Sequence, residues 1–369
     1  MLNITTPTLV LDETKTRANI HRMAEKARLS NVRFRPHFKT HQSIFVGEMF
    51  RAEGVNAITC SSLSMASYFA AYGWEDILVA FSVNLREMET INLLAKQIHL
   101  GVLVEDAQVV QRLGQDLTAP VDVWVKIDVG AHRTGIDWQN TAAVAKVLQA
   151  VQASPALRIQ GLLTHAGHTY KCHGPEEAIR TFDETNRQMG FLRDDLTPLG
   201  FSGLQLSVGD TPGCTVSPVI QGVDEIRPGN FVFYDAQQLA AGVCGWEDIS
   251  LVMACPVVAI HPEREEVVVY GGAVHFSKDT VTNNGLTHYG PVLSAQPEGW
   301  GAPIPGAYLA RLSQEHGIVH LPPEILNQTK PGDLLTIVPA HSCLSVSCMR
   351  EYVTLQGEQV LCLSTKPIN

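Results

Sequence analysis

Over the first two thirds of the chain, short apolar runs rich in β-formers alternate with longer stretches of helical periodicity. The β-type runs cover residues 8–11, 32–39, 57–61, 76–81, 98–104, 121–128, 159–165, 204–208 and 225–231. Between them, helices are predicted over 63–72, 85–95, 107–114, 141–153 and 175–196. Ser62 is placed to cap the first of these, and Gly174-Pro175-Glu176-Glu177 has the Pro and acids that suit a first helical turn. Repeated strand–helix units predict a parallel sheet. Leaving the first run aside, eight units over about 215 residues match the ~200–250 of a (β/α)8 TIM-type barrel.

Near Gly242 the pattern changes to strands and turns dense in Pro and Gly, with β-type runs at 251–260, 266–270, 334–338, 352–356 and 360–363. The expected fold class is therefore α/β, a (β/α)8 barrel with a C-terminal mostly-β domain. The barrel is assigned to residues 7–245 and the β domain to 246–369, which residues 1–6 could join. No internal repeat or low-complexity linker separates them.

Composition narrows the function class. Of 369 residues, 45% are hydrophobic and only 17% charged, against roughly 25% charged in ordinary soluble domains. This predicts a large core or a sizeable subunit interface, and a homodimer is expected. The net charge of −10 and the lack of a dense Lys/Arg block argue against nucleic acid as a partner. The start, MLNITTPTLVLDETKTR, lacks a signal-peptide layout, and the apolar stretch 249–260 is too short to span a bilayer. With eight scattered cysteines read as reduced thiols, a cytoplasmic enzyme without membrane partners is expected.

Barrel enzymes carry their chemistry at the C-terminal ends of the strands, and polar, Gly-rich residues collect there. Strand one ends in Arg35-Pro36-His37-Phe38-Lys39-Thr40-His41, and the fifth in Asp128 to Gly135 with Arg133. The sixth ends in Thr164 to Tyr170 with His165, the seventh in Gly209-Asp210-Thr211, and the eighth in Arg227-Pro228-Gly229-Asn230. Alternation puts Arg35, His37 and Lys39 on one strand face, which points into a barrel. A basic trio there is costly unless it meets an anion or cofactor, and a lysine in such company can form a Schiff base. Glycine backbone and a threonine hydroxyl after strands seven and eight suit a phosphate. A reactive lysine opposite a phosphate cup defines a pyridoxal 5′-phosphate site.

In these motifs the chain resembles the alanine-racemase-like (fold type III) pyridoxal-phosphate enzymes, most of all their D-serine dehydratase and D-threonine aldolase branch. The motifs run in family order: Arg-Pro-His-Phe-Lys-Thr-His, Asp-x-Gly-x-His-Arg-Thr-Gly, Thr-His-Ala-Gly-His-x-Tyr, Ser-x-Gly-x-Thr-Pro, Glu-x-Arg-Pro-Gly and Pro-Ala-His-Ser-Cys. The resemblance implies that Lys39 carries the cofactor and acts on the Cα proton. It implies that Arg133 lies near the ring's phenolate oxygen, that Tyr170 meets the ring nitrogen, and that Gly209, Thr211, Gly229 and Asn230 hold phosphate. His37 and His165 complete the cofactor-binding set. Asn230 stands where an aromatic or small apolar residue is the family's habit; a backbone contact survives that change.

His341-Ser342-Cys343 follows the 334–338 run, and in an extended segment residues two apart face one side. Imidazole plus thiolate suits zinc. The resemblance implies His and Cys here in dehydratases and a harder His and Asp pair, suited to Mn2+ or another divalent metal, in aldolases. Cys343 thus points to β-elimination from a D-3-hydroxy amino acid, giving a 2-oxo acid and ammonia, as in D-serine dehydratase. The alternatives are D-threo-3-hydroxyaspartate as substrate, with Lys171, Lys278 or Arg350 facing its second carboxylate, and a D-threonine-type aldolase. A racemase lacks an identifiable second base. A cofactor carrier without turnover fits poorly with residues 250–369. Cys348 and His316 are read as structural.

Overall fold

The computed structural model describes residues 3–296 and 299–363. In chain order the first elements are β1 (Thr8–Leu11), α1 (Glu13–Leu29), β2 (Arg33–Phe34), α2 (Ile44–Ala52), β3 (Ala57–Cys60), α3 (Leu63–Ala71), β4 (Asp76–Ser82) and α4 (Met88–Gln97). There follow β5 (His99–Val104), α5 (Ala107–Asp116), β6 (Val121–Asp128), β7 (Ile136–Asp137), α6 (Thr141–Gln152), β8 (Leu157–Leu163), α7 (Pro175–Leu196), β9 (Gln205–Val208), α8 (Thr211–Val216) and β10 (Glu225–Ile226). The remainder are α9 (Ala236–Ala240), β11 (Leu251–His261), β12 (Glu266–Tyr270), α10 (Ala273–Phe276), β13 (Val281–Asn283), β14 (Leu286–His288), β15 (Pro291–Gln296), β16 (Gly299–Leu312), β17 (His316–His320), α11 (Pro323–Leu326), β18 (Leu334–Ile337), α12 (Ser342–Met349), β19 (Glu351–Thr354) and β20 (Gln359–Leu361). The chain divides into two compact units: residues 21–39 with 47–229, and the described residues among 3–20, 40–46 and 230–363.

The first unit is a parallel barrel in the order β2-β10-β9-β8-β6-β5-β4-β3. Its seam is thin. Between β2 and β3 there is an isolated bridge, His37 to Thr59, with Phe38 N–H donating to Thr59 O and Thr59 N–H to Pro36 O, both at 2.9 Å. The predicted strands 32–39 and 225–231 are cut short to β2 and β10. Pro36 and Pro228 supply no N–H to a ladder, and Asn230–Val232 turns into a 3-10 helix. Ser62 does cap α3, accepting from Met65 N–H at 3.2 Å, and α7 spans the predicted range.

Inside the barrel, alternation along β6 sets Asp122, Trp124 and Lys126 on one face. Trp124 packs with Leu78, Leu103 and Leu163. Below that apolar layer runs an ionic chain. Arg35 donates to Asp76 and to Glu225, each at 2.6 Å. Glu225 also accepts from Ser207 Oγ at 2.7 Å, and Ser207 Oγ accepts from Arg227 Nε at 2.7 Å. Arg35 is held above the ordinary arginine range: burial opposes its charge, and the Glu225 and Asp76 carboxylates outweigh burial.

The second unit is a β structure of strand order β12-β17-β16-β15-β18-β11-β1-β19-β20, with β12 returning to pair β11, so six of its strands close into a barrel. The N-terminal β1 belongs to this sheet, antiparallel to β11 and parallel to β19. Sequence periodicity missed β15, β16 and β17. Pro303, Pro305 and Gly306 made the longest strand read as turns; it tolerates them because its pairing with β15 shifts register twice.

Glu225 is 1% exposed and is the acceptor for two buried partners. Replacing it by Ala leaves Arg35 with Asp76 alone and Ser207 Oγ without its acceptor, and a loss of about 3 kcal/mol, the low end for breaking a buried pair, is expected, read as a lower urea midpoint at unchanged slope.

Candidate active site

The C-terminal end of the parallel barrel gathers positive charge. Lys39 follows the short β2, and its backbone N–H reaches His37 Nδ1 at 3.4 Å. His37 is held well below the ordinary histidine range, first by burial and then by Lys39, Arg227, His165 and Arg133. His165 is depressed in the same way, by burial and then by Lys39. Lys126, 4% exposed, is lowered to about 7 by burial, then by Arg227 and Arg133, against the pull of Asp128 and Glu105. Arg227 is lowered to about 10, mainly by burial. Arg133 itself is exposed, on the loop after β6. Like charges that suppress one another's protonation form a site that an anion relieves.

Its floor comes from the loops after β8, β9 and β10. Gly209 adopts φ +144°, and a Cβ there would come within 2.5 Å of Arg227 N, so only glycine permits this approach of loop to strand. His165 Nδ1 donates to Gly209 O at 2.7 Å, which leaves Nε2 as the acceptor of the neutral ring. The Tyr170 hydroxyl accepts from Thr211 N–H at 3.2 Å. Asp210 caps α8 through Gly213 N–H at 2.6 Å and accepts from Thr169 Oγ1 at 2.8 Å. Burial raises Asp210 to about 6, against those two hydrogen bonds and Arg227.

The second unit holds the other predicted residues, with one correction of geometry. His341 and Cys343 are not in an extended segment: His341 caps α12 and Cys343 sits in its first turn. His341 Nδ1 lies 3.2 Å from Asp235 Oδ2, and Asp235 is wholly buried. Burial alone would depress His341, but Cys343 and Asp235 overcome it and push the imidazole up to about 11. Thr40 Oγ1 is 3.2 Å from Cys343 Sγ. Thr40 is the residue that follows Lys39 in the chain. Among the described residues no group of three or more His, Cys, Asp or Glu side chains is arranged to hold a metal. His341 and Cys343 could therefore act only as a two-ligand site with open positions. Cys348 takes Ser277 N–H, and His316 opens β17 opposite Tyr270. Lys278 Nζ is engaged with Leu312 O at 3.2 Å, Lys171 is exposed, and Arg350 is exposed at the end of α12.

The comparisons with known proteins follow this division. Residues 11–237 match the family model "Alanine racemase, N-terminal domain". The chain belongs to the alanine-racemase-like, fold type III family. Residues 250–355 match a serine dehydratase domain model. The chain is 30% identical to the D-threo-3-hydroxyaspartate dehydratase of Delftia sp. (strain HT23), covering 97% of this chain and 96% of that one. The solved structure of that protein superposes with a TM-score of 0.90 at 27% identity, covering 99% of both chains. Histidine-to-alanine and cysteine-to-alanine variants of the same dehydratase, at positions two apart, superpose equally well, the second in a metal-free form. The D-serine dehydratase of Dictyostelium discoideum is 29% identical over 99% of this chain and 97% of its own.

Lys126, Arg227 and Asp210 in the first unit, and Thr40 and Asp235 in the second, are residues to which sequence reasoning gave no role. The alternation Asp122-x-Trp124-x-Lys126 on β6 carried a readable signal for the lysine. Nothing local marked Asp235, whose partners lie more than a hundred residues away.

Lys126 gives a pH signature. Its folded value of about 7 lies below the ~10.4 of an unfolded lysine, so the unfolded chain binds that proton more strongly over the interval. Stability of the cofactor-stripped protein should rise with pH there. Lys126→Met should raise the urea midpoint at about pH 7, and the gap to the parent should shrink by about pH 9.5.

Proposed function

We propose that the chain is a pyridoxal-phosphate-dependent ammonia-lyase of the D-serine dehydratase type, converting a D-3-hydroxy amino acid to a 2-oxo acid and ammonia with zinc at His341 and Cys343. The observation that carries this reading is the contact of Thr40 with Cys343 at 3.2 Å. It ties the imidazole–thiol pair to the residue next in sequence to Lys39.

The residues fit the cofactor. His37, His165 and Lys126 are held low first by burial and then by nearby cations, Lys39, Arg227 and Arg133 among them; a phosphate dianion offsets that surplus, and Lys39 supplies an amine for an aldehyde. In this reading Lys39 binds the aldehyde carbon, while Gly209, Thr211, Gly229 and Asn230 offer phosphate contacts. Tyr170, anchored by Thr211 N–H, would serve the ring nitrogen, and Arg133 would serve the ring oxygen. They also fit a metal: His341 Nδ1 lies 3.2 Å from the buried Asp235 carboxylate, which leaves Nε2 for a ligand, and Cys343 is a soft neighbour two residues on. The histidine and cysteine chosen for substitution in the Delftia dehydratase have the same spacing.

When bound, pyridoxal phosphate spreads charge from Cα and zinc polarises the departing β-hydroxyl. The Lys39 amine, held at the end of β2 beside His37, removes the Cα proton. His165, fixed by Gly209 O, presents Nε2 as an acceptor. Asp235 orients His341, as a carboxylate behind a ligating imidazole does.

D-threo-3-hydroxyaspartate is the second substrate reading, favoured by the match to the Delftia enzyme. It needs a cation for the extra carboxylate, for which Lys171, Lys278 and Arg350 are the candidates; Lys278 Nζ donates to Leu312 O at 3.2 Å. A D-threonine aldolase of Arthrobacter sp is also similar, at 25% identity over 92% of this chain; the soft Cys343 favours elimination. Eight free cysteines support a reducing, cytoplasmic setting, and a charged fraction of 17% supports a homodimer. Among the described residues, no helix is long and apolar enough to cross a membrane.

Purified enzyme given D-serine, D-threonine and D-threo-3-hydroxyaspartate should release ammonia and a 2-oxo acid, and complete metal removal should suppress it. Glycine without ammonia would establish an aldolase instead. Lys39→Ala should retain little borohydride-fixed cofactor; an adduct at another lysine would assign the amine elsewhere.

A further inference from the structure

Asn230 carries more than a phosphate contact needs. The residue directly after Gly229 can offer its backbone to a phosphate whatever its side chain, yet here the side chain is an amide, 4% exposed. Its Nδ2 lies 2.6 Å from Asp235 Oδ2, 3.0 Å from Ser342 Oγ and 3.8 Å from Cys343 Sγ. Asp235 settles which end of the amide points there, because a carboxylate only accepts and must face the NH2 group. The same Oδ2 accepts from Ser342 N–H at 3.1 Å and lies 3.2 Å from His341 Nδ1. One amide nitrogen thus touches the sulfur of Cys343, the hydroxyl between the two ligands, and the carboxylate behind His341.

The other end of the amide is bare. Asn230 Oδ1 is buried and has no hydrogen-bond partner among the described residues. A buried carbonyl without a donor is costly, and a hydrophobic side chain of similar size would avoid that cost. A donor that arrives with a bound molecule accounts for its presence.

We propose that Asn230 is a positioning residue for the metal pair: its NH2 group fixes Cys343 and Asp235, and its carbonyl receives a hydrogen bond from the water or substrate group that completes the metal's shell. It acts through Cys343 and Asp235. Because Asn230 follows Gly229, a phosphate held on that backbone would fix the base of the amide as well. The inference rests on the reading of His341 and Cys343 as metal ligands.

The test compares the holoenzyme with Asn230→Leu, which keeps volume and backbone but removes both polar ends, and with Cys343→Ala. Zn2+ affinity is read by chelator competition, the sulfur-to-metal absorption band after Co2+ substitution, and pyridoxal phosphate content by absorbance. Asn230→Leu should weaken Zn2+ binding by about 10–100-fold, the usual loss when a ligand's outer partner is removed. It should also shift or weaken the Co2+ band and keep its cofactor content. Unchanged affinity and an unchanged band, with Cys343→Ala losing the metal, would overturn the role of Asn230 alone. Unchanged affinity in Cys343→Ala would overturn the metal reading and this inference together. If Asn230→Leu does not fold, as judged by circular dichroism, Asn230→Ala is measured by the same readouts and decides.

Discussion

The crowding of positive charge at one end of the parallel barrel is the constraint on which the site depends. Lys39 disfavours charge on His37 and His165, Arg227 on His37 and Lys126, and Lys126 on His165. Such a cluster survives folding because counter-charge is stored below it. Glu225 and Asp76 neutralise Arg35, and Ser207 passes hydrogen bonding on to Arg227. The apolar layer of Leu78, Leu103, Trp124 and Leu163 fills the barrel interior.

The β unit solves a different problem, that of holding an imidazole and a thiol in a fixed relation. It does so at a helix start. His341 and Cys343 share the first turn of α12, and Asp235 and Asn230 reach them from a segment over a hundred residues earlier. A strand could have placed the two side chains on one face, but the helix start also brings Ser342 N–H to the Asp235 carboxylate.

Much of the barrel was legible because its cues are local: period, caps and Gly-rich strand ends. The α7 boundaries and the Ser62 cap follow from such cues. Strand ends near Pro36 and Pro228 were overextended because apolar runs say nothing about which N–H groups a ladder needs. The β unit was less legible. Its longest strand, Gly299–Leu312, is punctuated by Pro and Gly that a bulged strand accommodates. The His-x-Cys pair was visible in the sequence, but its backbone was misread as a continuous extended segment, since polar residues two apart look alike in a strand and at a helix start. Asp235 and Lys126 show the limit: each takes its chemical setting from partners that only the folded chain brings near.

The thin seam of the barrel has a mechanical consequence. The segment leading to Lys39 is stitched to β3 by two backbone hydrogen bonds around Thr59, where β3 and β4 pair over four residues. Compliance is therefore concentrated beside Lys39. Opening the cylinder at this seam would break those two backbone hydrogen bonds and leave the other staves paired.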